Sequence, residues 1–321
     1  MKQSSVAAPL STGDAARPGS LSRARYALAS SDTLRAYVLN LPALVTVLAL
    51  VAFPIGYSFW ISLQRYQLKE PGLRAFIGLG NYVSLLTDSD FLASIRVSVE
   101  FSVMVVVGTV GLGLILALVL NETFIGRGVL RSLVLLPWAM PGVVNGLMWR
   151  MVFDPKIGVL NGFLYSLGII HSYQTWLINP NTALIVSAVA QVWNFVPFAV
   201  IILLSGLTTV PTELYDAAKV DRAGAFQRFR RVTFPWIMHP LLIVLILETL
   251  NAFRAFDTVY ILTGGGPGNA TNLISLQTVQ TVLTYTNFGL GNAYSYIIML
   301  ITLIVSLGYV LLLYRGGNFR T

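Results

Sequence analysis

The sequence predicts an all-α polytopic membrane protein with six transmembrane helices. Of its 321 residues, 55% are hydrophobic and only 11% are charged, whereas a soluble domain carries about 25% charged residues. The mean hydropathy is +0.73, and six apolar runs each approach the ~20 residues that a helix needs to cross a bilayer. The absence of cysteine excludes disulfides, iron–sulfur clusters and thiolate zinc sites, and we expect neither a metal nor another cofactor.

The apolar runs divide the chain into a tail and one membrane domain. The predicted crossings are 37–63, 97–120, 130–153, 182–206, 236–262 and 290–314. Residues 1–33 are rich in Ser, Ala, Pro and Gly, a composition typical of disorder, and they lack the apolar core and cleavage site of a signal peptide. We therefore predict a disordered cytoplasmic tail at 1–33 and a transmembrane domain at 34–321.

Basic residues predict how the helices are oriented. Six crossings place both termini on one side of the membrane, and that side carries 14 Lys and Arg residues whereas the other carries 5. Because cytoplasmic loops are enriched in Lys and Arg, we predict that the N-terminus, the C-terminus and the loop 208–235 are cytoplasmic. The basic residues are spread over several loops without interleaved aromatic residues, so membrane lipid is expected as a partner and nucleic acid is not.

The first two crossings are mainly apolar. Pro54 is expected to kink the first, where Tyr57 and Trp60 suit a membrane interface. The second carries Glu100 and a stretch of small residues, 108–114, that is suited to close helix packing. An acidic residue in a crossing is a functional candidate, but Glu100 lies near the outer edge, and we favour interfacial hydration over function.

Two prolines interrupt the third crossing. Pro137 and Pro141 disturb backbone hydrogen bonding at membrane depth, which is tolerated only where neighbouring helices or a cavity satisfy the freed carbonyl groups. An ordinary kinked helix and an interruption beside a functional cavity are both compatible with this pattern.

The fourth crossing places amide and aromatic side chains near mid-membrane. Gln191, Trp193 and Asn194 lie just before Pro197. Carbohydrates are bound by stacking on aromatic rings and by hydrogen bonds from side-chain amides, so these three residues are candidates for a substrate path. Hydrogen bonding between helices, worth about 0.6 kcal/mol per bond, explains them equally well.

The fifth crossing has four polar residues at intervals of three. Glu248, Asn251, Arg254 and Asp257 are predicted to lie on one face of a continuous helix. Charged side chains at membrane depth must face protein or water, so part of this face is expected to line a translocation path and the rest to pack against a partner subunit. Glu248, Asn251 and Arg254 are therefore further candidates for the substrate path.

The loop 208–235 contains the one long polar run between apolar segments. Its sequence from residue 211 to 235 is PTELYDAAKVDRAGAFQRFRRVTFP. The pattern predicts a short amphipathic helix with an alanine-rich face, a break at Gly224 and a second short helix over 225–232. A solvated loop that anchors two membrane helices by its positive charge is the alternative interpretation.

This loop resembles the EAA loop of ABC-importer permeases. Asp216-Ala217-Ala218 matches the opening acid-Ala-Ala triplet, Val220-Asp221 matches the aliphatic-Asp pair of the sugar-importer version, and Pro235 closes the motif at the family spacing. Arg222 stands where the family usually has glycine. We expect Gly224, two residues later, to make the turn in its place.

Two further segments resemble the sugar-importer members of this family. The end of the fifth crossing and its glycine run, 256–267, is similar to theirs, and in these systems that outer loop faces the solute-binding protein. The third crossing matches their Leu-Pro-Trp-Ala…Pro…Trp…Phe…Gly…Asn series at Pro137, Trp138, Ala139, Pro141, Trp149, Phe153, Gly158 and Asn161.

The resemblance implies a type I ABC importer permease fold in the inner or plasma membrane of a prokaryote. It implies a permease subunit of a carbohydrate-class importer of the maltose and glycerol-phosphate type, which forms half of the translocation pathway. The implied partners are a second homologous permease, a cytoplasmic ATPase dimer and an extracytoplasmic solute-binding protein, and the chain itself is not expected to be an enzyme. The residues expected to couple it to the ATPase are Asp216, Ala217, Ala218, Asp221, Arg222, Gly224 and Pro235.

One other class of function stays open. An ion-gradient-driven secondary transporter of small solutes would use Glu100 and Glu248 as proton sites. A membrane-embedded enzyme is disfavoured because the sequence contains neither GxSxG nor HExxH. The sequence does not identify the sugar, polyol or sugar-phosphate that is carried, although the crossings lack the basic cluster expected for a phosphorylated substrate.

Overall fold

The computed structural model describes residues 32–70, 72 and 74–315. The predicted tail, 1–33, lies outside this part of the chain except for its last two residues, which begin the first helix. The described residues are helical apart from turns, loops and one hairpin of two-residue strands. They belong to two compact units, one ending at Ser58 and the other beginning at Phe59.

The first unit contains most of one long apolar helix. α1, Asp32–Val47, continues through a π-helical turn at Leu48–Ala52 into α2, Phe53–Ser62. Pro54 is the second residue of α2, and a proline ring and its missing N–H disturb the helical bonds of the preceding turn. A π-helical turn thus lies just before Pro54, within one span that runs from Ala36 to Ser62, and the kink expected at Pro54 stays a prediction.

A short hairpin and a helix open the second unit after α2. They are β1, Gln64–Arg65, β2, Ala75–Phe76, which pairs with it antiparallel, and α3, Gly80–Thr87. Asn81 is buried, and its amide nitrogen donates to the carbonyl oxygens of Ser62 and Gln64 at 2.7 and 2.9 Å. This side chain therefore ties α3 to the hairpin.

Two long uninterrupted helices form the centre of the second unit. They are α4, Ser89–Asn121, and α8, Pro180–Leu207. A β-carbon added at Gly108 would lie 2.8 Å from Cγ2 of Val192, and one added at Gly113 would lie 2.8 Å from Cβ of Ala199. Both helices also supply residues to the two large apolar clusters of this unit. The close packing predicted for the small residues of 108–114 is therefore confirmed at Gly108 and Gly113, whereas Gly111 has open space around it.

The predicted third crossing is a bent pair of helices. α5, Arg127–Leu135, runs into a 3₁₀ turn at Leu136–Ala139, and α6, Gly142–Val152, follows at a bend of 100°. Pro141 precedes α6 with extended dihedrals, φ −58° and ψ 145°. The prolines therefore do interrupt the helix, as the sequence predicts.

The other helices of the described residues differ widely in length. The remaining elements are α7, Val159–Ser166, α9, Thr212–Val220, α10, Ala225–Arg228, a π-helical turn at Phe229–Thr233, α11, Phe234–Trp236, α12, Met238–Phe253, α13, Asp257–Thr263, α14, Ile274–Leu283, and α15, Phe288–Arg315. The helical stretch from α10 to α11 meets α12 at a bend of 69°.

The predicted fifth crossing, 236–262, is not one helix. α12 ends at Phe253, and α13 begins at Asp257. Residues 254–256 between them are not helical, and the carbonyl oxygen of Ala255 accepts a hydrogen bond from the hydroxyl of Ser275 on α14. The prediction of one continuous polar face is therefore wrong for Glu248, Asn251, Arg254 and Asp257.

Six predicted crossings correspond to four unbroken helices and two bent pairs. Among the described residues, four helices are long and apolar enough to cross a membrane, and the number rises to six if each bent pair is counted as one span. The unbroken spans are Ala36–Ser62, Ser89–Asn121, Pro180–Leu207 and Phe288–Leu312. The bent pairs are Arg127–Ala139 with Gly142–Val152 and Ala225–Trp236 with Met238–Phe253.

Candidate functional site

The break before α6 and the break before α13 open onto the same cavity. Its volume is about 410 Å³. Three aromatic residues contribute to its wall, namely Trp138, Phe195 and Phe256. Its polar lining consists of Gln191, Asn194, Asn251, Arg254, Asp257 and Thr258. Polar side chains from two breaks and from the middle of α8 therefore converge on this cavity, which we call the central cavity.

Asn194 satisfies the backbone at the first break. Its amide nitrogen donates to the carbonyl oxygens of Pro137 and Met140 at 2.6 and 3.3 Å. Pro137 lies in the 3₁₀ turn, and its carbonyl also accepts the N–H of Met140 at 3.2 Å, whereas Met140 follows the turn, where regular helical bonding stops. Unpaired carbonyl groups at membrane depth are costly, so α8 stabilises the bent pair through this side chain.

Asn145 joins α6 to the two elements beside it. It is fully buried, and its amide nitrogen donates to the carbonyl oxygen of Ala190 at 3.1 Å and to Oγ1 of Thr258 at 3.3 Å. The Thr258 hydroxyl in turn donates to the carbonyl oxygen of Gly142 at 3.2 Å. The sequence reasoning missed Asn145, although an amide four residues after Pro141 in an apolar run was an available signal.

Two glycines let α6 and α13 approach each other at the wall of the central cavity. A β-carbon added at Gly142 would lie 2.9 Å from Cβ of Asp257. One added at Gly146 would lie 2.9 Å from Cβ of Ile261 and 3.0 Å from the carbonyl oxygen of Thr258. The two short helices therefore form one packed unit that starts at the central cavity.

The structure brings together four of the six residues predicted for the substrate path. Trp193 is a fifth and lines a different, almost wholly apolar cavity of about 680 Å³ with Pro137 and Trp149. The ring centroids of Trp193 and Trp149 are 5.9 Å apart in an edge-to-face arrangement. The four that share the central cavity are Gln191, Asn194, Asn251 and Arg254.

Glu248 is separate from the central cavity. It is fully buried on α12, four residues from Val244 and four from Ala252, which belong to two apolar clusters. The Asn251 side chain is close enough to interact with it, but neither carboxyl oxygen has a partner at hydrogen-bonding geometry among the described residues. The geometry of Glu248 therefore does not support the prediction that its side chain lines a substrate path.

Glu100 lies on an accessible face of α4. Its carboxylate pairs with the guanidinium of Arg96 at 2.8 Å, and 46% of its side chain is exposed. This geometry fits the interpretation of Glu100 as a hydrated interfacial residue. The two acidic residues required by a proton-coupled mechanism are thus in unlike surroundings, one exposed and one buried.

α9, the first helix of the loop 208–235, lies at the surface. None of its residues is buried, and Asp216 and Lys219 form an exposed ion pair at 2.9 Å. The Tyr215 hydroxyl lies 3.0 Å from Oγ1 of Thr233, which holds α9 against the segment before α12. Val220 is 83% exposed and Phe226 is 73% exposed, so the loop presents apolar side chains on an accessible surface.

The turn after α9 forms at Arg222 and not at Gly224. Arg222 has φ +57°, in the left-handed region. The N–H of Arg222 donates to the carbonyl oxygen of Lys219, and that of Ala223 donates to the carbonyl oxygen of Ala218, both at 2.9 Å. These two bonds define a Schellman motif with Arg222 at the position usually taken by glycine. The expectation that Gly224 takes over the turn is wrong, because Gly224 has φ −66° and caps α10.

Comparisons with known proteins agree on one family. A sequence profile of the family described as "Binding-protein-dependent transport system inner membrane component" matches residues 109–315. The trehalose/maltose transport system permease protein MalF of Thermococcus litoralis is 39% identical over 287 residues, which cover 88% of this chain and 94% of the relative. The trehalose transport system permease protein SugA of Mycobacterium tuberculosis is 38% identical over 263 residues, covering 82% of this chain and 83% of the relative.

A solved structure has a similar fold. It is a chain of a bacterial ABC transporter involved in the import of the acidic polysaccharide alginate, and it matches with a TM-score of 0.76. The match covers 91% of this chain and 99% of that chain at 20% sequence identity. It therefore supports the arrangement of helices and carries no information about the substrate.

Proposed function

The chain belongs to the family of inner membrane components of binding-protein-dependent transport systems, and from this we propose that it is the permease subunit of an ATP-driven importer of neutral sugars. It forms half of the translocation pathway with a second, homologous permease. A solute-binding protein delivers the sugar on the extracytoplasmic side, and a cytoplasmic ATPase dimer drives the change between inward-facing and outward-facing states. The termini and the loop 208–235 lie in the cytoplasm, as the distribution of basic residues indicates.

The central cavity is the observation that supports this function best. Its wall carries three side-chain amides, one hydroxyl, one cation and one anion beside three aromatic rings. Amides and rings are suited to a polyhydroxylated ligand, and the charges of Arg254 and Asp257 balance, which favours an uncharged sugar. Breaks in membrane helices place irregular backbone at the substrate site of many transporters, and two breaks meet at this cavity. Trehalose and maltose, which two relatives are named for, are the first sugars to test.

The coupling loop supplies the connection to the ATPase. None of the residues of α9 is buried, and its alanine-rich turn, Ala217-Ala218, allows a partner surface to approach closely. A short rigid helix that is tied to the membrane domain by Tyr215 and Thr233 transmits a displacement that a flexible loop would absorb. The proposed contacts with the ATPase are Asp216, Ala217, Ala218, Asp221, Arg222, Gly224 and Pro235.

The coupling role is tested by reversing one charge on α9. We expect Asp216→Lys to abolish co-purification of the ATPase while the chain still inserts into the membrane, because a positive charge replaces the negative charge that faces the ATPase groove. The matched control is the double variant Asp216→Lys, Lys219→Asp, which restores the ion pair within α9. The coupling proposal is contradicted if the single variant retains the ATPase, or if the double variant regains it, since the pair alone would then matter.

The transport role is tested by uptake of radiolabelled trehalose and maltose into proteoliposomes. Uptake is expected to require the second permease, the solute-binding protein, the ATPase and ATP. Arg254→Gln is expected to lower uptake about tenfold, because a hydrogen bond from a charged group contributes about 1.5–3 kcal/mol, and the control Arg65→Gln changes an exposed cation in the hairpin. Uptake by the chain without ATP, abolished by collapse of a proton gradient, would instead support the secondary transporter.

A further inference from the structure

A second polar cavity lies at the far end of the packed pair α6 and α13. Its volume is about 400 Å³, and its wall comes from the end of α6, the segment 175–178 before α8 and the end of α13 with its glycine loop. Gly142 lines the central cavity and Arg150 lines this one. They are eight residues apart on α6, which corresponds to about 12 Å at the rise of an α-helix. We call this second space the outer cavity.

An aromatic ring is held in a fixed position on the wall of the outer cavity. The Trp176 indole nitrogen donates to Oδ1 of Asn161 at 2.9 Å, and its ring meets that of Phe153 edge to face at 6.2 Å. Asn161 is fully buried, and its amide nitrogen donates to the carbonyl oxygens of Asp154 and Gln174 at 3.2 and 3.0 Å. The ring is therefore oriented before any ligand arrives, which lowers the entropic cost of stacking on it.

A cation and an anion stand beside this ring. The Arg150 guanidinium is exposed and lies 3.4 Å from the carbonyl oxygen of Ile261, which directs it along α13. Oδ1 of Asp154 accepts the backbone N–H groups of Lys156 and Ile157 at 2.8 and 3.0 Å. These two bonds, with a smaller contribution from the charges of Lys156 and Arg150, hold the pKa of the Asp154 carboxyl below its usual range. The Asp154 carboxyl is therefore ionised at neutral pH.

The arrangement matches the chemistry of a sugar. A pyranose offers one apolar face to a ring and vicinal hydroxyl groups to a guanidinium and a carboxylate. Building on the proposed function, we propose that the outer cavity is a second sugar subsite, which takes a ring of a neutral mono- or disaccharide against Trp176, with Arg150 and Asp154 bonding its hydroxyl groups. A sugar released by the solute-binding protein occupies this subsite first and then moves along α6 and α13 to the central cavity.

Protection of a single thiol tests the subsite directly. The chain has no cysteine, so Thr175→Cys introduces one thiol at an exposed position of the cavity wall. The assembled importer in nanodiscs is treated with N-ethylmaleimide in the presence of trehalose or of maltose. At a sugar concentration ten times the dissociation constant we expect labelling to be about tenfold slower, as mass action requires. The control Lys156→Cys, an exposed position in the adjacent turn that does not line the cavity, should label at an unchanged rate.

A second variant tests the contribution of the cation. In the Thr175→Cys background, Arg150→Gln should raise the sugar concentration needed for protection about tenfold, with an unchanged melting temperature of the complex. Lys156→Gln, in the same background, should leave that concentration unchanged. If both substitutions raised that concentration equally, the weaker sugar binding would come from the loss of a positive charge near the cavity, and the specific role of Arg150 would be overturned.

The outcomes separate this inference from the proposed function. If the wild-type importer takes up the sugar but Thr175→Cys is not protected at any concentration, the outer subsite is wrong and the proposed function stands. Protection by the solute-binding protein alone, with or without sugar, would assign the cavity to protein docking and would also overturn the subsite. If the wild-type importer takes up neither sugar with ATP and all partners present, the proposed function fails and the subsite fails with it.

Discussion

The unbroken stretch of α8 and the break before α6 differ in how the polar side chains there are hydrogen bonded. On α8 the hydroxyl of Ser187 donates to the carbonyl oxygen of Ala183, one turn earlier in the same helix. At the bent pair, by contrast, the amide of Asn194 reaches backbone carbonyls of another element, and Asn145 bonds across to α8 and α13. The Ser187 hydroxyl is thus satisfied within its own helix, whereas the amides beside the break bond between elements.

This difference separates scaffold from site. The contact between α4 and α8 is made by small residues and apolar clusters, so its stability rests on shape and van der Waals contact. The breaks concentrate irregular backbone and polar side chains at one cavity, where their hydrogen-bonding capacity is available to a ligand. Substitutions that remove space should therefore act on the scaffold, and substitutions that remove a hydrogen bond should act on the site.

The largest effect is expected from filling the contact between α4 and α8. Gly113→Leu should destabilise the folded protein by about 3 kcal/mol, because even a β-carbon at Gly113 would lie 2.8 Å from Cβ of Ala199. The measurement is the thermal unfolding midpoint of the purified complex in detergent. Gly111→Leu is the matched control on the same helix, since a β-carbon there meets no atom within 4 Å. Equal losses for the two variants would show that the packing argument is wrong.

A smaller effect is expected from removing the amide that spans the first break. Asn194→Leu should destabilise the protein by about 2 kcal/mol, since the Met140 carbonyl loses its donor and the Pro137 carbonyl keeps only the N–H of Met140. It should also lower sugar uptake, because the wall of the central cavity is no longer held in place. Asn181→Leu, an exposed position near the start of the same helix, should change neither quantity.

An unchanged midpoint for Asn194→Leu, together with reduced uptake, would refine the comparison. Asn194 would then act on the ligand and not on the backbone, so the break would be stable without it. Unchanged uptake would remove Asn194 from the site altogether.

Much of this architecture is encoded in local sequence, and some of it is not. The number of crossings follows from apolar runs, and the interruption at Pro141 follows from the chemistry of proline, which removes a donor whatever surrounds it. The end of α12 at Phe253 carries no such signal, because neither proline nor glycine occurs from Glu248 to Asp257. A tertiary contact, the bond from Ser275 to Ala255, accompanies that break, and a linear pattern does not contain such a contact.

The candidate site shows the same division. Gln191, Asn194, Asn251 and Arg254 are recognisable in sequence as polar residues in apolar runs, and they share one cavity. Glu248 gives the same signal but is buried between apolar clusters. Which face of a helix meets the cavity depends on where that helix ends and how it packs. Tertiary packing decides whether a polar side chain points into the cavity or into the apolar core. The sequence therefore predicts candidate residues better than it assigns their roles.

The smallest effect is expected where a helix is interrupted outside the membrane spans. Arg222 holds a left-handed conformation, which costs a non-glycine residue about 1–2 kcal/mol, and water can solvate the turn. Arg222→Gly should therefore raise the unfolding free energy by about 1 kcal/mol or less, because glycine relieves the strain but gains more backbone entropy in the unfolded chain. Gly224→Ala is the matched comparison, since Gly224 has a negative φ and open space around its Cα, and it should be tolerated. The prediction is contradicted if Gly224→Ala destabilises the protein and Arg222→Gly does not stabilise it, because the turn would then form at Gly224. In that case helix interruptions in water would follow the sequence motif more closely than helix interruptions at membrane depth.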